Sequence, residues 1–136
     1  MKSRVLYYSK KSNMKKLAAE LAVALQTEKK EDVVPPAYSC DKEKVVFLGF
    51  TASKANDDAF ARFCDGLNTT KAYNVALFVD GKEDVAKKVA ERIERAGARV
   101  CPEIYYCSFK FLRSVNAVDK QQLVNWANRI VASLES

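Results

Sequence analysis

Histidine is missing from this 136-residue sequence. Ser-His-Asp and Cys-His nucleophile systems fall away with it, as does the commonest general base near neutral pH, and most hydrolase chemistries are excluded. The four cysteines, Cys40, Cys64, Cys101 and Cys107, form no CxxC pair and no regular metal spacing, and no histidine completes a zinc set. Reduced thiols are expected. No hydrophobic run approaches the roughly 18 residues of a membrane span, and the start "MKSRVLYYSKK" lacks the layout of a signal peptide. The expectation is a soluble, cytoplasmic protein without membrane contact. No internal repeat, linker or low-complexity tract divides the chain. With 49% hydrophobic residues, its length suits one globular core, so residues 1–136 are read as a single domain.

Acidic residues are also absent from the start of the chain. Lys2, Arg4, Lys10, Lys11, Lys15 and Lys16 all precede Glu20, so the amino-terminal arm concentrates the net charge of +6. Such a surface attracts phosphate, an acidic partner or nucleic acid, or is simply a solvated face. No nucleic-acid recognition motif accompanies these lysines, which leaves nucleic acid the minor option.

What is present is an alternation of two periods. Short β-branched or aromatic runs at Arg4 to Ser9, Asp32 to Val34, Lys44 to Phe50, Asn74 to Asp80 and Arg99 to Phe109 predict five strands. "KVVFLGF" and "NVALFVD" are nearly continuous apolar runs, as central strands of a parallel sheet require. Helical stripes separate them: Met14, Leu17, Ala18, Leu21 and Leu25; then Phe60, Phe63, Cys64 and Leu67; then Val85, Val89 and Ile93; and finally Leu123, Trp126, Ala127, Ile130 and Leu134. Asn56 or Asp57 is placed to start the second helix and Gly97 to end the third, while Asp119 and Gln122 have the spacing of a capping box. "PPAYSCDKE" is too short and broken for a helix, so one crossover is read as a loop. The pattern predicts an α/β fold, a three-layer α-β-α sandwich around a five-stranded parallel sheet in the order 2-1-3-4-5.

Ligands of such sheets bind beyond the carboxyl ends of the strands, at the switch point beside the first strand. "SKKSNM" lies there. Its helix amides, Ser9, Ser12, Lys10 and Lys11 suit an anion, although Ser12 capping the helix beneath solvated lysines fits the same spacing.

At this loop the chain resembles the flavodoxin-like family. "VLYYSKKSNMKKLA" is similar to the phosphate loop whose usual form is Ser/Thr-x-Thr-Gly-Asn-Thr. Ser9 and Asn13 match it, whereas Lys11 replaces a hydroxyl residue, Ser12 the glycine and Met14 the last threonine. The resemblance continues through "KVVFLGFTASKANDDAFARFCDGL" and "NVALFVDGKEDVAKKV", covering nearly the whole chain. It implies FMN as cofactor. Ser9, Lys10, Lys11, Ser12, Asn13 and Met14 would hold the phosphate, Phe50, Thr51, Ala52 and Ser53 one side of the flavin ring, and Asp80, Gly81 and Lys82 the other. The aromatic residues that relatives place in the second and third loops are missing, leaving Tyr8, Phe109 and Phe111 as stacking surfaces. Lys10, Lys11, Lys54, Lys82, Lys110 and Arg113 gather at the same edge, where acidic relatives carry carboxylates.

The function implied is electron transfer by an FMN-binding protein, or a redox accessory to a reductase, rather than a stand-alone enzyme; no side chain need be catalytic. The alternative is a flavodoxin-shaped module that has lost FMN and binds protein. Either use of the basic edge calls for a partner, such as a redox protein, with an acidic docking face. A phosphoacceptor receiver domain is excluded, because Ser9-Lys10 and Phe50-Thr51 stand where its carboxylates are needed. Cys107, near the end of the fifth strand, is read as a buried, inert thiol.

Overall fold

The two apolar runs singled out above occupy the middle of the sheet. The computed structural model describes residues 1–107 and 115–135, with strands β1 (Ser3–Tyr8), β2 (Asp32–Val33), β3 (Glu43–Thr51), β4 (Ala72–Asp80), β5 (Arg99–Val100) and β6 (Tyr105–Cys107). Its helices are α1 (Ser12–Leu25), α2 (Asp58–Asp65), α3 (Glu83–Ala96) and α4 (Ala117–Glu135). All the strand pairs are parallel, in the order β2-β1-β3-β4-β5, with β6 also on β4. None of the described helices is long and apolar enough to cross a membrane.

Period-2 alternation assigns each face of the central strands to a different helical layer. Val46, Leu48 and Phe50 of β3 join Phe60 and Cys64 of α2 and Ala86, Val89 and Ile93 of α3. Val45 and Phe47 face the other way, onto Met14, Leu17 and Leu21 of α1 and Leu123, Trp126 and Ile130 of α4. Trp126 is the largest buried side chain, with its ring 5.7 Å from both Phe47 and Tyr105. Its indole N–H donates to the Glu103 carbonyl at 2.9 Å, so this buried polar atom is satisfied.

Two expectations need correction. The fifth strand is not one run from Arg99 to Phe109, because β5 and β6 pair with β4 separately and residues 102–104 leave the ladder between them, after the Cys101 amide makes a last bond to the Val75 carbonyl at 2.8 Å. Pro102 has no N–H to donate, and the Glu103 carboxylate is held by Arg129 of α4 at 2.6 and 3.2 Å. Phe109 itself lies outside the described residues. The cap of α4 is also displaced: Asn116 and Asp119, not Asp119 and Gln122, form the reciprocal box. The Asp119 amide donates to Asn116 Oδ1 at 2.8 Å and the Asn116 amide to Asp119 Oδ2 at 3.2 Å. The crossover between β2 and β3 is a loop, as its sequence predicts, and Asp32 Oδ2 holds it by accepting the Ala37 amide at 2.8 Å.

Candidate functional site

Strand register sets the site. Tyr8 is the partner of Phe50 and Thr51 the partner of Asp80, so the chain leaves β1, β3 and β4 at one height and three loops meet at the carboxyl edge. Two side-chain bonds join them. Ser9 Oγ lies 2.6 Å from Thr51 Oγ1 and accepts the Lys11 amide at 3.0 Å, so the hydroxyl is folded into the first loop. Lys11 Nζ reaches across to Asp80 Oδ2 at 2.5 Å. The Asp80 side chain is only 12% exposed and that of Lys11 51%, which makes this a carboxylate neutralised at the edge of the core. Gly81, at φ 151°, brings the third loop against the second, since a Cβ there would stand 2.3 Å from that of Ala52.

Helix α1 begins without a cap. Its N-cap position is Lys11, which makes no side-chain cap bond, and no acidic residue lies within the first turn. Ser12 is therefore the first helical residue rather than the cap. The Met14 amide donates to the Lys11 carbonyl at 3.1 Å, and the Met14 side chain is wholly buried beneath the helix. With the Lys11 amide on Ser9, the Lys10 and Ser12 amides are the ones that no acceptor among the described residues claims. These are fewer than the five amides of residues 10–14 that the sequence offers at the helix start.

The aromatic residues are placed differently from expectation. Phe50 is 0% exposed and its ring is 5.0 Å from Phe60, inside the core, so its side chain does not line the loop; an apolar residue that ends a strand covered on both faces packs inward. Tyr8 lies on Phe60 as well, at 5.4 Å, and its hydroxyl donates to Asp57 Oδ2 at 3.0 Å. That bond, with burial and the charge of Asp57 behind it, raises the Tyr8 phenol above its ordinary range. Asp57 is the N-cap residue of α2, but its carboxylate serves Tyr8 and makes no cap bond. Residues 52–57 and 81–82 contain no aromatic ring. Phe111, Lys110 and Arg113 lie outside the described residues.

Sequence reasoning overlooked a cleft of about 190 Å³ on the β2 side of the first loop. Tyr8, Ser9, Lys10, Val33, Lys54 and Asp57 line it. Val33 and Asp57 carried no signal as site residues because one reads as a strand and the other as a helix start; only register puts them together. Cys107 is buried, and burial followed by the Asp80 and Asp119 carboxylates pushes its thiol up to about 12. It is not a nucleophile at neutral pH.

Solved structures resemble this arrangement along its full length. The chain superposes on a flavodoxin from the domain Archaea with a TM-score of 0.67 at 13% identity, covering 100% of both chains. The fold is flavodoxin-like. Oxidised Flavodoxin 2 from Bacillus cereus gives a TM-score of 0.64 at 17% identity, over 96% of this chain and 99% of that one. No protein-family model matches the sequence, and no curated protein matches it. Within this flavodoxin-like frame, the start of α1 carries no side-chain cap and no acidic residue in its first turn, and the loops after β3 and β4 close on each other at Ala52 and Gly81.

Proposed function

We propose that this chain is an FMN-binding electron carrier or redox accessory. The observation that carries the proposal is the α1 start, which is uncapped, free of acid and placed where β1, β3 and β4 release their loops. The Lys10 and Ser12 amides, the Ser12 hydroxyl and the Lys10 ammonium hold the phosphate, while Asn13 completes the turn. Ser9 fixes the loop through Thr51, and Lys11 ties it to Asp80. Ala52 and Ser53 border the flavin on one side, with Asp80, Gly81 and Lys82 on the other. When bound, FMN supplies the redox chemistry.

The test is titration of the purified protein with FMN, followed by visible absorbance and flavin fluorescence. Saturable binding in equal proportion is expected. Ser12→Asp should weaken it by about tenfold or more, about 1.4 kcal/mol, because a carboxylate then occupies the anion seat. The same change favours the helix by roughly 0.3–1 kcal/mol, so the fold persists. Absence of binding by the parent protein, or equal binding by Ser12→Asp, overturns the proposal.

One observation favours a second reading, a cofactor-free docking module. Ser9 and Lys11, two groups expected at a phosphate, already have partners in Thr51 and Asp80. In that case Lys10, Lys54 and Lys82 present a cationic edge to the acidic docking face of a redox partner, with association that weakens as salt rises. Failure to bind FMN together with salt-sensitive association selects this reading.

A further inference from the structure

The helices on the α2/α3 face differ in length. α2 has 8 residues and α3 has 14, and a groove of about 340 Å³ stays open between them. Ala52, Ala55 and Ala61 line it, and their small side chains leave it unfilled. Val85 supplies half-buried apolar surface beside Ala52 and Ala61, while Phe60, Cys64 and Val89 lie buried beneath.

Charge on the rim has one dominant sign. Lys88, Arg92 and Arg95 follow one another at i, i+4 and i+7 along α3, which places them in a single stripe, against one lining carboxylate, Glu91. Arg92 is shared with Asp65 at 3.1 Å. Lys88 and Arg95 are exposed and have no partner among the described residues. Seven residues of helix separate them by about 10 Å along the axis, too far for a single carboxylate to meet both. A complementary ligand needs acidic groups at that separation and an apolar group between them.

We propose that the α2/α3 groove is a docking site for an acidic amphipathic segment of a partner protein, whose carboxylates meet Lys88 and Arg95 while an apolar side chain packs on Val85, Ala52 and Ala61. Lysine and arginine stems bordering an apolar floor suit such a segment, because they cover its aliphatic part while their heads bind its charge. The groove lies on the helical layer and not in the anion seat of α1, so its use does not depend on FMN.

The probe is a fluorescein-labelled helical peptide with glutamates seven residues apart and leucines between them, titrated into the full chain without FMN. Expected is saturable binding that weakens as salt rises. The double variant Lys88→Glu with Arg95→Glu should lose about tenfold or more in affinity while keeping its melting temperature and its response to FMN. Lys10→Glu, at the carboxyl edge, should leave peptide affinity unchanged. No binding at low salt overturns the proposal, as does equal binding by the double variant. Equal binding of peptides with glutamine for glutamate or serine for leucine also overturns it. If a polyuridine strand competes more strongly and loses its affinity in the double variant, the groove belongs to nucleic acid. If the chain self-associates and the double variant does not, the groove belongs to a second copy; both results reject the acidic segment. FMN binding and peptide binding are read separately, so either can fail alone.

Discussion

Lys11 and Asp80 hold each other in a contact that decides how much positive charge the first loop offers a ligand. In Asp80→Asn the ammonium loses this carboxylate, so the first loop offers an incoming phosphate more positive charge and FMN should bind about tenfold more tightly. Lys11→Ala does the opposite: it leaves a largely covered carboxylate without this cation, costs about 1 kcal/mol of stability and weakens FMN. Titration calorimetry of both variants checks the pair, and equal affinities would remove Lys11 from the site. Neither the ion pair nor the Ser9–Thr51 bond is legible in the sequence, because their members are 69 and 42 positions apart. The sequence does carry the loop that holds Ser9 and Lys11, through an apolar strand that runs directly into a helical stripe. Phe50 was misplaced for a related reason: periodicity identifies a strand end without telling which of its last side chains still belongs to the core.

Helices and central strands were legible because their burial pattern is local. Val45 to Phe50 alternate between two covered faces, and the stripe from Met14 to Leu25 keeps one side of α1 buried. The fifth strand was not, since an aromatic, β-branched run conceals a proline that breaks pairing. Gly49 shows what pairing demands inside an element. A Cβ there would lie 2.2 Å from the ring of Phe78, its register partner on β4, so the glycine is a packing residue of β3 and makes room for that ring. Gly49→Ala should therefore lower stability by about 1–3 kcal/mol, with loss of central-strand protection in hydrogen exchange. Denaturant unfolding measures the cost, and an unchanged midpoint would mean that Phe78 finds another rotamer freely.

The whole molecule keeps its four thiols away from water, and this shapes its behaviour in alkali. Burial is the leading cause of the raised values at Cys40, Cys64, Cys101 and Cys107, and it pushes Cys64 and Cys107 up to about 12 from an ordinary 9.0. Below pH 9.0 both folded and unfolded chains hold these protons, and the stabilisation is intact. Above it the unfolded chain releases protons that the fold retains. Stability then falls by about 1.4 kcal/mol per pH unit for each such thiol, until the folded thiols ionise as well. Melting temperature should decline from pH 9 towards 12, and replacing Cys64 with serine should flatten that decline even though it lowers the starting stability. A flat profile across this range would show that the thiols reach solvent.

The break at Pro102 matters beyond the strand it divides. One border of the sheet is the two-residue β2, and among the described residues the other is cut into pieces of two and three residues. Unfinished ladders recruit neighbouring chains when they are long and flat, whereas margins this short give an incoming ribbon too few amides to grip. The same proline that spoils pairing within the molecule thus also limits what this margin offers to a neighbouring ribbon.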